Sequence, residues 1–239
     1  MKIILYIITT LISITTAYTL KKWFTRLGKF DAINYRSVHD TQATKTGGIA
    51  VFTTLFLISI YLYISQQELF DFSLLIPLGI MFIVGVYDDF YNADFKLKFF
   101  LQIIVAKILI DQGFIIDHFY GVLGLQEIPR FASQIFTVFV FLVIVNAINF
   151  IDGIDGMAIT ELVKVILVVE LFSEAKTPIF FLGIFTILSS IPLYYFNYKK
   201  DNKVFLGDAG SLLFGTLIAV YLFHILGSDY TYKLDHKIN

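Results

Sequence analysis

Residues 132–151 read "ASQIFTVFVFLVIVNAINFI", a run without a single charge, and the chain continues "DGIDGMA" (152–158) before turning apolar again. About 20 apolar residues are what a helix needs to cross the hydrocarbon core of a bilayer. Two aspartates, Asp152 and Asp155, close the run. A carboxylate near the bilayer centre costs roughly 2.5–3.5 kcal/mol on insertion scales. Their position therefore bears on function as well as fold.

The rest of the chain repeats the pattern. Of 239 residues, 57% are hydrophobic and 15% charged, with a mean hydropathy of +0.78. A soluble domain averages about 45–50% apolar and 25% charged. Apolar runs predict spans at about 3–20, 47–65, 70–87, 99–116, 132–151, 157–172, 179–196 and 209–226. The predicted fold class is all-α: a polytopic helical membrane protein of about eight transmembrane helices, forming a single domain over 1–239. No internal repeat or linker divides it. The first run has one lysine before it and "KKW" after it, which favours a retained anchor over a cleaved leader. A net charge of −1 says nothing about nucleic acid, and no basic stripe suggests it as a partner. The absence of cysteine excludes disulfides, thiolate nucleophiles and Cys-ligated metals.

Basic residues orient the spans. The connections 21–46, 88–98 and 197–208 hold Lys21, Lys22, Arg26, Lys29, Arg36, Lys45, Lys96, Lys98, Lys199, Lys200 and Lys203. The opposite side holds Lys2, Arg130, Lys176, Lys233 and Lys237. The excess assigns the first group to the cytoplasm and both termini to the outside. Lys107 and Lys164 fall inside spans, where Asp111 and Glu161 are predicted partners in pairs facing the bundle.

Under this topology four polar clusters share the cytoplasmic face. In "VYDDF", Asp88 and Asp89 are adjacent; two close carboxylates repel unless a cation lies near. A solvated helix end, a divalent ion and a proton-transfer role all fit that pair. In "NAINFIDGIDGMA", Asn146, Asn149, Asp152 and Asp155 recur every three residues, which predicts one helical stripe for a base, a ribose or a hydrated cation. In "FLGDAGSLLFG", Asp208 is predicted to cap the eighth span. The free N–H groups behind it would suit a phosphate, with Asp208 holding Mg²⁺ against it. In "RSVHDTQATKTGG", Arg36, His39 and Lys45 read either as contacts to lipid phosphate or as topology markers. Together the clusters fit Mg²⁺-dependent handling of a phosphorylated substrate.

These motifs carry a resemblance. "RSVHDTQATKTGGIA", "VYDDFYNADFKLKFFLQ", "NAINFIDGIDGMA" and "VFLGDAGSLLFG" cover residues 36–215 in order. They resemble the polyprenyl-phosphate N-acetylhexosamine-1-phosphate transferases, glycosyltransferase family 4, which include the phospho-MurNAc-pentapeptide translocase. The resemblance implies transfer of a sugar 1-phosphate from a UDP-N-acetylhexosamine to undecaprenyl phosphate, releasing UMP, with Mg²⁺ (or Mn²⁺) as cofactor. It implies a multi-pass protein of the bacterial inner membrane, in contact with membrane lipids, working at its cytoplasmic face in cell-wall or lipopolysaccharide synthesis. A homodimer is compatible with it.

Carried over, the implied catalytic residues are Asp88, the proton acceptor, with Asp89 and Asp208. Asp208, Asp152 and Asp155 would hold the metal. Asn146, Asn149, Asp152, Asp155, Lys98, Arg36, His39 and Lys45 would meet the substrates. "FIDGIDG" is closer to the GlcNAc-type transferases than to the pentapeptide translocase, the alternative donor class. A Pro usual before the Gly-Gly pair is replaced in "ATKTGG". The family continues past the eighth span to a His-rich loop, which none of His39, His118, His224 and His236 matches. A C-terminal part of the family domain is therefore expected to be missing, with a truncated or inactive homologue as one alternative. An ion or proton transporter is the rival from another class. It would want acids at the midplane and repeated halves, and neither is found in the sequence.

Overall fold

A computed structural model describes residues 2–30, 43–121, 124, 126–199 and 203–227. Within these residues the chain forms eight α-helices: α1 (Lys2–Arg26), α2 (Gly47–Ile64), α3 (Leu75–Tyr91), α4 (Phe95–Asp111), α5 (Arg130–Ile151), α6 (Met157–Phe172), α7 (Phe180–Asn197) and α8 (Gly207–Leu226). A 3-10 turn, Phe72–Leu74, leads into α3. Each predicted span corresponds to one helix. Six are long and apolar enough to cross a membrane, α3 when taken with its leading 3-10 turn (Phe72–Tyr91, 20 residues); α4, with 17 residues, and α6, with 16, are shorter. The fold is a polytopic helical membrane bundle. Helices satisfy their own backbone groups, which lipid cannot do.

The helices are sorted by burial. Of the apolar stretch of α8, 78% is buried inside the bundle, against 22% for α1. The central helix α8 packs against α3, α5, α2 and α6, while α1 lies outside against α7 and α2. Its side chains point largely outward, with Ile3, Ile4, Ile7 and Leu11 all exposed. A soluble protein would hide such residues, whereas lipid accepts them. Where α1 does touch the bundle it buries Leu5, Ala17 and Phe24 and adds small hydroxyls: the Ser13 Oγ donates to the Ser189 carbonyl at 2.5 Å, and Thr16 meets Thr54 at 3.2 Å.

Close approach around α8 depends on missing side chains. A Cβ on Gly48 would lie 2.1 Å from the Gly210 nitrogen, and one on Gly85 2.3 Å from the Asp208 carbonyl oxygen. Backbones that near each other raise dispersion contact, the main attraction between helices in lipid. These contacts hold the start of α8 beside the start of α2 and the end of α3.

The same end carries a two-residue parallel ladder. Strands β1 (Ala43–Thr44) and β2 (Lys203–Val204) pair in the register Ala43↔Lys203 and Thr44↔Val204. The Gly47 N–H donates to the Phe205 carbonyl at 3.0 Å and the Gly48 N–H to that of Leu206 at 2.8 Å. The segments entering α2 and α8 are thus tied together, although 160 residues separate Ala43 from Lys203.

The two ion pairs predicted inside spans form, Lys107 with Asp111 and Lys164 with Glu161, but they do not face the bundle. The Lys107 and Asp111 side chains are 52% and 63% exposed. Lys164 is likewise exposed beside a half-buried Glu161, so neither lysine is enclosed by the bundle.

Candidate active site

The sequence of α3 explains how it delivers two carboxylates to one spot. The helix ends at Tyr91, and Asn92 takes a left-handed backbone (φ 51°). Asparagine tolerates that region better than most residues. The chain folds back there, so the Ala93 N–H donates to the Asp88 Oδ1 at 2.8 Å. Asp94 then opens α4 by accepting the Lys96 N–H at 3.4 Å, and Lys98 follows one turn later.

Lys98 is the hub. Its Nζ lies 2.5 Å from the Asp88 Oδ2 and 3.0 Å from the Asp208 Oδ2, joining α3, α4 and α8. Its side chain is only 13% exposed, so these charge-assisted bonds act where water screens weakly. The other oxygen of Asp208, Oδ1, accepts from the Asn149 Nδ2 at 2.9 Å, and the same nitrogen lies 2.8 Å from the Ser211 Oγ. Side chains from α4 and α5 therefore fix the Asp208 carboxylate.

Asp89, beside Asp88 in sequence, has a different job. Its Oδ1 accepts the Asp208 N–H and its Oδ2 the Ala209 N–H, both at 3.0 Å. Its side chain is 2% exposed, and the Lys45 Nζ lies 3.6 Å from the Oδ1. Asp208 is therefore not the cap of α8. The helix starts at Gly207 with Leu206 at the cap position, which has no side-chain bond to give, and Asp89 supplies the capping oxygens from another helix. The N–H groups expected to bind a phosphate are already engaged by a carboxylate.

The predicted stripe of four polar residues also divides. Helix α5 stops at Ile151 and Asp152 is its C-cap; a turn follows, and Gly156 has a φ of +72°. Two glycines within this short turn end the helix, so the three-residue spacing no longer means one face beyond Asp152. Asn146 bonds Gln102 across α4 and α5 at 2.8 Å and is spent on packing. Asp152 stays with the cluster: burial pushes its carboxyl well above the usual range, as do the charges of Asp208 and Asp89, against the opposing pull of the Gly207 N–H and Lys45. Asp155 pairs with the Lys203 Nζ at 2.5 Å, and its carbonyl accepts from the Tyr198 hydroxyl at 2.9 Å.

The structure thus brings together Asp88, Asp89, Asp152, Asp208, Asn149, Lys98 and Lys45, and sets Asn146 and Asp155 on other partners. Arg36 and His39 lie outside the described residues. Sequence reasoning missed Ser211, one turn after Asp208 in the quoted motif; that spacing was the available signal. It also missed Lys203 as a partner of Asp155 and Gln102 as a partner of Asn146, for which no local signal exists.

Among the described residues no group of three or more His, Cys, Asp or Glu forms a metal cage. Mg²⁺ rarely needs one: it takes one or two carboxylates, keeps waters and completes its shell with substrate phosphates. Asp88 and Asp208 already converge on one cation, the Lys98 ammonium, and both offer hard oxygen donors. That donor set fits such an ion.

Comparisons with known proteins bear on the family. Residues 71–225 match the family model described as glycosyl transferase family 4. Over 224 residues the chain is 27% identical to a Bacillus subtilis (strain 168) protein named "Probable undecaprenyl-phosphate N-acetylglucosaminyl 1-phosphate transferase". That match covers 91% of this chain and 61% of the relative, so the chain spans about three fifths of that protein's length. The family model takes in well over half of the chain, which belongs to glycosyl transferase family 4.

Proposed function

We propose that this member of glycosyl transferase family 4 moves an N-acetylhexosamine 1-phosphate, of the GlcNAc type, from its UDP carrier to undecaprenyl phosphate, with UMP leaving. The observation that carries this reading is the Lys98 bridge between Asp88 and Asp208 at the enclosed start of α8. A reaction between two phosphates needs repulsion offset at the meeting point. Such catalysis is mainly positioning and electrostatics, which fixed charges held by several helices provide.

An oxygen of the lipid phosphate attacks the sugar-bearing phosphorus of the donor; the new P–O bond forms as the bond to UMP breaks. Asp88, held on Lys98, takes the proton of a lipid phosphate that arrives protonated, on its Oδ2. Lys98 faces the charge that builds on the transferring group. Asn149 holds the Asp208 Oδ1, which keeps that carboxylate in one orientation. Asp208, with Asp88 or Asp152, would hold Mg²⁺ (or Mn²⁺), which supplies charge neutralisation for the diphosphate. Lys45 and the 152–156 turn border the site and would meet the substrates. The excess of Lys and Arg in the connections at this end supports a cytoplasmic site in a bacterial inner membrane. The product would begin a cell-envelope glycan.

The test is UMP release by purified membranes carrying the chain, given undecaprenyl phosphate, Mg²⁺ and UDP-GlcNAc, with UDP-GalNAc and the UDP-MurNAc-pentapeptide as comparison donors. Release with UDP-GlcNAc that needs both lipid and metal is the expected outcome. Release with the pentapeptide donor alone would move the assignment to the translocase. No release with any donor would remove the activity from this chain.

A further inference from the structure

We propose that Asp89 is neither a proton acceptor nor a metal ligand but a positioning residue: it serves as a built-in anion that caps α8 from α3 and so sets Asp208 against Lys98. The inference rests on the function proposed for Asp208, and three observations carry it. Both Asp89 oxygens are already engaged, one on the Asp208 N–H and one on the Ala209 N–H, each at 3.0 Å. The side chain is 2% exposed, so it offers no face to a lipid phosphate. The fit is also tight: Gly207 has a φ of +74°, and a Cβ there would lie 2.7 Å from the Asp89 Oδ2.

Sequence position alone makes Asp88 and Asp89 look equivalent. Their surroundings separate them. Asp88 faces the ammonium that also faces Asp208, while Asp89 faces the first turn of α8. The first N–H groups of a helix have no partner within it and attract negative charge. In α8 the first turn itself carries Asp208, a negative group whose own N–H is one of those donors. A carboxylate that grips this N–H fixes the backbone of Asp208 and hence the direction of its side chain. Lys45, 3.6 Å away, offsets the buried charge.

The experiment uses the full chain in membranes with Asp89→Ala and Asp89→Asn. Hydrogen exchange of the peptide covering 205–212 reads the cap without any turnover. In Asp89→Ala the amides at the start of α8 should exchange at least tenfold faster, and UMP release should fall a hundredfold or more. Nitrate then distinguishes the roles. It is planar, accepts several N–H bonds and has no useful basicity. Added at tens of millimolar, it should restore both protection and at least a tenth of the turnover. Asp89→Asn, which keeps one acceptor, should retain more activity than the alanine variant and keep the shape of the wild-type pH–rate profile.

Rescue by formate but not nitrate would overturn the proposal, because formate can take a proton. Unchanged exchange in Asp89→Ala would overturn it as well, as would loss of one limb of the pH profile in Asp89→Asn. If Asp89→Ala does not fold, Asp89→Asn carries the exchange measurement. If the wild-type chain releases no UMP, the proposed function fails, while exchange with and without nitrate still decides the cap.

Discussion

The two ends of the bundle hold similar side chains and use them differently. At one end Lys98 meets Asp208, Asn149 meets Asp208, and Asp89 meets the Asp208 N–H, across 110, 59 and 119 residues of sequence. At the other, Lys107 pairs with Asp111 four residues on, and the His118 Nδ1 lies 3.9 Å from the Asp117 Oδ1 beside it. That far end also opens into a cavity of about 1080 Å³, lined by Asp117, Glu127, Arg130 and Lys176 among others. A hollow lined with charge is thus found there too. The local pairs need only one helix or one turn to exist, and exposed pairs of that kind contribute about 0–1 kcal/mol. The long-range set needs the whole bundle and places carboxylates where burial opposes them. Convergence from distant parts of the chain, rather than abundance of charge, separates the site from the ornament.

Four substitutions test the difference between the two ends. Asp208→Asn should lower UMP release about a thousandfold or more while the protein still accumulates in the membrane, since it removes the charge on which the other groups converge. Normal turnover in that variant would remove the site. Lys98→Ala should come next, at a hundredfold or more, because removing one fixed group that faces developing charge costs about 10²–10³ in rate. Steady-state kinetics with detergent-solubilised protein would measure it. Gly85→Ala should act through packing: its Cβ would meet the α8 backbone, with about 1–3 kcal/mol lost and a matching fall in thermal midpoint. Turnover should fall with it, since α3 carries Asp88 and Asp89. Lys107→Ala should do least, changing stability by no more than about 1 kcal/mol and turnover by less than about twofold. A large loss of turnover there would erase the distinction between the two ends.

The helices were legible because lipid imposes a length on apolar runs, and each predicted span has a helix within a few residues of it. The site was legible in part. Asp88, Asp208, Asn149 and Lys98 sit in quoted motifs, and the topology from basic residues put those motifs at one end. What escaped was the partnership inside the site. The spacing from Asn149 to Asp155 assumed an unbroken helix, yet Gly153 and Gly156 lie within it, and the chain turns at Asp152. Aspartate just after the Gly207 position suggested a cap, but the capping oxygens come from a residue 119 positions earlier. Nothing local in a sequence marks such a donor–acceptor pair. The two small glycine contacts, Gly48 with Gly210 and Gly85 with the α8 backbone, were visible only as residues that weaken a helix.

The central place of α8 also has a consequence in time. It is the last of the described helices to leave the ribosome and the most enclosed, so its partners must insert first and leave a slot for it. Helices that form independently and then associate allow that order. Until α8 arrives, the Asp89 carboxylate has no amides to hold and Lys98 has one carboxylate instead of two. Arrival of α8 thus completes the candidate site, and a chain cut short before residue 207 would insert in the membrane without it.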